Sequence, residues 1–420
     1  MKRLALLGVA ALLAASGCGG SKPASDAAEL VPPTTLSFVS LQTDLGPLPH
    51  VLRLFPFGPA ALESVRKGLQ LKRSMGPQLD VAIFKGGTIS FTQPVDEKRF
   101  ESALGPGQLH AHIRGWTVFT AKPALLDLVR RHKGKLSELP AYRSATGRLP
   151  GDAIVRAYAA SGGAGLVRRA TGLGGSLPNI PRNAKWVAAA LSSSRDEVTL
   201  EVHAQGAVAA GSLPSDDLVS KIPAGAVLAV GLGGVGQVPG NARLEGVDLQ
   251  GIADALGGEA IAYVRAGLPF PEVTLVSRPK DAEQALRDVG RLITRLARPR
   301  RPPVPTTVDG VTLQDVALGA VDIYYGTFDG MLVVSDSTDA VGALRSHGDK
   351  LKVPGLPDRT NGFLYLDVEH ALPAVKAFAK LANQQVPARL EADVKPLKTL
   401  VVYGTRDGDV QTIVASLQTR

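Results

Sequence analysis

Cysteine is nearly missing from this chain: of 420 residues, only Cys18 carries a thiol. One thiol closes no intrachain disulfide, so the fold has no disulfide framework. Cys18 also precedes any patterned segment, which excludes thiol catalysis inside a folded site. Aromatic residues make up 5% of the chain, so the core has to be built largely from Ala, Val and Leu. After the N-terminal segment, no stretch without charge reaches the roughly 20 apolar residues that a membrane-spanning helix needs. No GxxxxGK[ST] loop, GxSxG elbow or HExxH helix occurs, which removes the best-defined signatures of nucleotide, serine-hydrolase and zinc-protease chemistry. Apolar content of 45% and charged content of 20% are those of an ordinary globular protein.

What is present begins at the N-terminus. Lys2 and Arg3 form a basic start, and Leu4 to Ala15 form an apolar stretch interrupted by Gly8. That length suits the core of a secretory signal and is too short to span a bilayer. Ala15-Ser16-Gly17-Cys18 follows and resembles the lipobox of bacterial lipoproteins, with Ala15 where that family prefers Leu. The resemblance implies cleavage before Cys18 and a diacylglyceryl group on its sulfur, with further acyl (palmitate) chains. Residues 1–17 are then the signal peptide. Residues 18–29, small, polar and Pro-bearing (GGSKPASDAA), read as the lipidated Cys and a flexible tether. The expected location is the extracytoplasmic side of a cell membrane, reached through the lipid.

Internal similarity organises the rest. LVPPTTLSFVSLQT (30–43) and VSKIPAGAVLAVGL (219–232) each place a proline turn before a strand. An apolar helix is expected next in each half, near 59–75 and 247–256. Strand pairs and helices continue in the same order: LDVAIFK, TISFTQP and DEKRFESAL in the first half, EAIAYVR, EVTLVSR and KDAEQALRDVGRLITRLA in the second. GWTVFTAKPALLDLVRRH (115–132) answers GMLVVSDSTDAVGALRSH (330–347). Each half closes on a hairpin, with Arg195-Asp196 and Arg406-Asp407 expected at the tips. The growing offset places an insertion in the second copy near Arg291 to Thr307, ending in RPRRPPVPTT. The pattern predicts an α+β fold: two similar copies of an antiparallel sheet with helices packed on one face, over 30–210 and 211–420. Ala282, Ala285, Leu286, Val289, Ile293 and Leu296 recur at helical spacing and mark a core-facing stripe.

LVPPTTLSFVSLQTD (30–44), GEAIAYV (258–264) and MLVVSDSTDAVGALR (331–345) resemble an exported bacterial family catalogued as domain of unknown function 3352. That resemblance extends over most of the mature chain. It implies a fold and brings no catalytic or binding residue.

Candidate chemistry is sparse. Gly231 to Gly236 spell GxGxxG after a strand, but Pro239 and Gly240 follow where a dinucleotide fold needs a helix. The segment reads as a loop, and no cofactor is expected. His110 and His112 stand two apart on a strand and face one way. With no cysteine and no evident third ligand, an exposed strand edge is the reading and no metal is expected. Asp322, Asp367 and Glu369 lie near strands of the second copy without carboxylate counterparts in the first. No catalytic residue is assigned. Cys18, as the lipidation site, is the one functional residue the sequence names.

The formal charge is +9, and loss of Lys2 and Arg3 leaves +7. Arg291, Arg295, Arg298, Arg300 and Arg301 concentrate part of it beside prolines, a composition able to touch anionic lipid. No nucleic-acid motif accompanies the charge. The expectation is a lipid-anchored envelope protein, a non-enzymatic module binding an apolar ligand, an envelope polymer or a protein, with its pocket between the two copies. An envelope hydrolase with an unrecognised site is the alternative.

Overall fold

The computed structural model describes residues 26–44, 46–53, 74–161, 163, 184–206, 216–233, 243–244, 247–248, 256, 259–267, 270–297, 299, 301–319, 321–346, 348–381, 384 and 386–420. The signal peptide, Cys18, most of the tether and residues 59–73 of the helix expected near 59–75 fall outside them. The chain divides into two compact units, residues 1–208 with 407–420 and residues 209–406. The C-terminal strand belongs to the first unit.

In the first unit, the strands are β1 (Ser37–Gln42), β2 (Gln78–Phe84), β3 (Gly87–Thr92), β4 (Leu109–Ile113), β5 (Trp116–Thr120), β6 (Val155–Ala160), β7 (Trp186–Ser193) and β8 (Glu197–Gln205). They pair antiparallel in the order β4-β5-β3-β2-β1-β6-β7-β8. The last strand of the chain, Val410–Thr419, adds to β8 from Val410 opposite Gln205 to Gln418 opposite Glu197. The helices are α1 (Leu48–Arg53), α2 (Glu97–Ala103), α3 (Pro123–Arg131) and α4 (Pro140–Thr146).

Alternation decides what each strand buries. One face presents Phe38, Phe91, Trp116, Val118, Tyr158 and Trp186 to Leu125, Leu126 and Val129 of α3 and to Tyr142 of α4. Pro123 opens α3 at its first position, where a missing N–H costs nothing. On the other face, Phe100 of α2 meets Phe119 edge-on at 5.4 Å between ring centres. Leu48 of α1 joins Leu41, Ile154 and Val155 there as well. The helices therefore occupy both faces, not one as the sequence suggests, because strands such as β1 and β5 carry apolar residues at both parities. The tether also gives way earlier than expected. Ala27–Leu30 form a 3-10 helix capped by Asp26, and Ala27 and Ala28 are 0% exposed in the main core.

In the second unit, β9 is Ala226–Gly233, and the short ladder β10 (Arg243–Leu244) and β11 (Val247–Asp248) follows. Then come β12 (Glu259–Arg265), β13 (Glu272–Ser277), β14 (Val304–Val308), β15 (Val311–Ala317), β16 (Asp322–Phe328), β17 (Met331–Ser335), β18 (Gly362–Asp367) and β19 (Leu397–Asp407). With Val410–Thr419 as β20, the numbering is complete. The sheet order is β19-β18-β9-β12-β13-β17-β16-β15-β14, antiparallel throughout. Its helices are α5 (Asp216–Val219), α6 (Ala282–Ala297), α7 (Thr338–Arg345), α8 (Val368–Leu381) and α9 (Ala388–Val394).

The stripe on α6 is core, with Ala285, Val289 and Ile293 buried against Leu332 and Tyr325. Leu296 is left exposed. Val341 and Leu344 of α7 pack with Val333 and Met331. Leu332 and Val333 point to opposite faces, so α6 and α7 sandwich β17. Three local expectations are corrected. Val247–Asp248 is strand, not helix. Arg406 and Asp407 lie inside β19, and the turn is made by Gly408 at φ 61° and Asp409. The RPRRPPVPTT loop is shorter than expected: residues 304–308 form a strand and pair with β15, while Arg291 and Arg295 lie on α6, within the segment of helical spacing. Pro305 sits on that outermost strand, where its missing N–H breaks no ladder. Among the described residues, no helix is long and apolar enough to cross a membrane.

Candidate functional site

A cleft of about 1110 Å³ opens on the α4 side of the first unit's sheet, over β1, β2 and β6. All of its lining belongs to this unit. Phe38, Tyr142, Tyr158 and Ile154 supply apolar wall, and Asp26, Gln78, Arg143 and Arg156 supply polar groups. The floor is fixed by strand register. Asp80 stands opposite Ser40, and Ser40 opposite Arg156. Three neighbouring strands thus lay a polar row across a sheet face that is otherwise core.

Asp80 is 0% exposed. Gln78 donates its Nε2 hydrogens to Oδ1 at 2.8 Å and Oδ2 at 2.9 Å, and lies 3.0 Å from Ser40 Oγ. Burial pushes the Asp80 carboxyl up to about 7, and the charge of Asp26 adds to that. The hydrogen bonds from Gln78 and Ser40 act the other way. Tyr142 donates its hydroxyl to Asp26 Oδ2 at 3.1 Å and stacks edge-on with Phe38 and Tyr158. Burial, and then Asp26, raise its hydroxyl far above the usual phenol range. Arg156 reaches the Gly151 carbonyl through one terminal nitrogen. Its Nε is buried with no hydrogen-bond partner among the described residues, a costly state for a charged donor. Tyr142 lines the cleft and Asp80 lies beneath its floor, and buried groups with displaced titration beside a cleft mark a candidate functional site.

His203 is a further buried ionisable group of the first unit. Its Nε2 lies 2.7 Å from Glu201 and its Nδ1 2.8 Å from Thr412 Oγ1. Burial lowers its affinity for a proton against the pull of Glu201. The contact to Thr412 ties β8 to β20 and is structural.

The residues singled out in sequence fall elsewhere. Cys18 lies outside the described residues. Gly231 to Gly233 continue β9, so this part of the GxGxxG is strand and not loop, and Gly234 to Gly236 lie outside the description. Asp322 stands on β16, and Asp367 ends β18, with β17, β13, β12 and β9 between them. Asp367 accepts from the His370 backbone N–H at 3.0 Å and approaches its ring at 2.7 Å, a helix cap for α8. Glu369 follows on α8. These carboxylates are not brought together. His110 and His112 do face one way, and the structure adds two partners the sequence reading missed. Glu97 Oε1 is 2.9 Å from His112 Nδ1, and Glu101 Oε1 is 3.1 Å from His112 Nε2 and 3.2 Å from His110 Nε2. The available signal was the spacing of Glu97 and Glu101, four apart and hence on one helix face. The cleft row was missed because Asp80, Ser40 and Arg156 meet only through pairing of distant strands.

No protein-family model matches the chain, and no curated protein is similar to it. Among solved structures, crystal forms I and III of TP0453 resemble it at 10% identity and a TM-score of 0.27, covering 77% of this chain and 100% and 98% of theirs. Form IV does so at 12% identity and a TM-score of 0.26, over 43% of this chain and 81% of its own. Similarity this low carries no argument about fold or function. The class of protein is set by its own elements: a mixed α+β protein built on antiparallel sheet.

Proposed function

We propose that this protein is a lipid-anchored, extracytoplasmic binding module that holds an anionic amphiphile in the cleft of its first unit. The N-terminal pattern ending at Cys18 supports the anchor. The observation that carries the binding reading is Arg156, a half-buried cation whose Nε is buried without a hydrogen-bond partner among the described residues, in a cleft with aromatic walls. An acidic headgroup would satisfy that donor, and the rings of Phe38, Tyr142 and Tyr158 would cover an apolar body.

The two units are, in this proposal, copies of one ancestral domain. The strand order β4-β5-β3-β2-β1-β6-β7 is matched by β16-β17-β13-β12-β9-β18-β19, in sheet position and in chain sequence. The hairpin β14–β15 is the insertion. The row matching Asp80-Ser40-Arg156 is then Tyr263-Ala229-Tyr365, defined by its own register. There, two buried tyrosine rings occupy the face that the first unit leaves polar. One copy keeps an open, charged floor and the other fills it, as expected if only the first retains a ligand.

Mass spectrometry of the protein extracted from native membranes tests this. An acidic amphiphile should accompany the wild-type protein, and Arg156→Met should lose it by at least tenfold while the circular dichroism spectrum is unchanged. Wild-type protein free of any adduct would remove the ligand reading. Separately, Cys18→Ala should move the protein from the membrane fraction to the soluble one and end labelling with fatty acid. A variant that stays on the membrane contradicts the anchor.

One observation favours the hydrolase alternative. Asp80 holds a proton near neutrality, as a general acid or base must. Against it, Gln78 covers both Asp80 oxygens and the side chain has no exposed surface. The binding reading therefore stands first.

A further inference from the structure

On the face of the first unit opposite the cleft, α2 crosses the outermost strand β4. Asp96 caps α2 by accepting from the Arg99 N–H at 3.0 Å. Phe100, 0% exposed, pins the helix to Phe119. With that side buried, Glu97 and Glu101 project toward His110 and His112. Ligand atoms of Glu97, Glu101 and His112 lie within 4.8 Å of one another. His110 Nε2 is 3.2 Å from Glu101 Oε1. Thr117, across the strand pair from His112, places its hydroxyl 3.4 Å from both Glu97 Oε1 and His112 Nδ1.

The contacts around His112 pose a problem of proton count. Its two ring nitrogens each face a different carboxylate, at 2.9 and 3.1 Å. A neutral imidazole has one N–H and one lone pair. Whichever tautomer forms, one nitrogen lone pair then points at a carboxylate oxygen, an acceptor against an acceptor. A second proton relieves this, and so does a metal ion between the two atoms. Four zinc ligands at 2.0–2.1 Å in a tetrahedron stand about 3.3 Å apart. On the Nε2 side of His112, Glu101 Oε1 stands close to that edge length from both His112 Nε2 and His110 Nε2, at 3.1 and 3.2 Å. Glu97, now against Nδ1 but within 4.8 Å of the group, joins them by turning its side chain. The donor set of imidazole and carboxylate suits zinc.

We propose that Glu97, Glu101 and His112, with His110 as the fourth ligand, form a divalent-cation site able to hold zinc. It links α2 to the free edge of the sheet. The exposed edge strand lets the hydrated ion enter directly. This site is independent of the cleft and of its ligand.

Calorimetric titration of the full mature chain with zinc chloride at pH 7.5 tests it, with cobalt(II) absorption as a second readout of tetrahedral ligation. The expected result is one saturable equivalent. His112→Ala and the near-isosteric Glu101→Gln should each weaken it at least tenfold, about 1.4 kcal/mol. His132→Ala should leave it unchanged, since that ring is engaged with the Gly134 carbonyl at 2.7 Å. Should His112→Ala fail to fold, Glu97→Gln and Glu101→Gln carry the test. Absence of saturable zinc binding, or binding indifferent to the Glu variants, overturns the proposal and leaves His112 as a structural partner of the two glutamates.

Discussion

Replacing Asp80 by asparagine is expected to stabilise the protein at pH 8 and to leave its stability at pH 3 nearly unchanged. The reason is linkage. The folded state holds the Asp80 proton up to about pH 7, whereas an unfolded chain releases it near 3.8. Below about pH 4 the carboxyl is protonated in both states, and its contribution is fully present. Between there and pH 7 the unfolded state ionises first, so stability falls as pH rises. Above 7 the loss is complete. Three units of displacement set a ceiling of about 4 kcal/mol on the effect. The substituted amide keeps an acceptor for Gln78 and carries no charge at any pH. The check is the difference in melting temperature between variant and wild type from pH 3 to 9. Taking the difference cancels His203, whose lowered proton affinity works in the opposite direction and destabilises the fold as pH falls below about 6.5. A flat difference curve would mean that the Asp80 carboxylate is solvated or paired in the fold.

Gly231→Ala is expected to destabilise the second unit by about 1–3 kcal/mol, the usual cost of overpacking a tight core. A Cβ on Gly231 would lie 2.2 Å from Cε1 and 2.6 Å from Cδ1 of Phe363. Residues 231 and 363 are direct partners across β9 and β18, and the ring is buried in the core of this unit. The ring has nowhere to retreat without opening that core. This glycine serves close packing between strands and not a phosphate. Phe363→Leu should make room, so the double variant should be more stable than the sum of the two single changes predicts. Gly225→Ala makes the contrast: nothing lies within 4 Å of its Cβ position, so little effect is expected. Urea titrations of the wild type and these variants decide it. Equal, small effects at 231 and 225 would contradict the packing role.

Both results turn on how far each feature can be read from sequence. Gly231 attracts notice as part of GxGxxG, but its physical role depends on Phe363, more than a hundred residues away. Asp80 carries no motif. It stands in LDVAIF as a polar residue at an alternating position, which reads as a solvent-facing site. Only when β1 and β3 flank β2, and Tyr142 and Asp26 close over it, does that position become buried. His110 and His112 were legible as one-faced, because alternation along a strand is local. Glu97 and Glu101 were equally regular along their helix. That the two pairs meet depends on Phe100 docking against Phe119, which no local pattern states.

What the sequence determined by itself was local and periodic. The N-terminal pattern gave an expected address at Cys18. Alternation gave most strands, helical spacing gave α3, α6 and α7, and their order suggested a repeated design. What only the tertiary structure decided was which strands become neighbours and which face each helix covers. The C-terminal strand joined β8 of the first unit, α2 and α3 took opposite faces, and the floor of the cleft was assembled from β1, β2 and β6. Period two says that residues alternate between faces, but not what will lie against either face. That choice is made by burial and hydrogen-bond pairing summed over residues far apart in the chain.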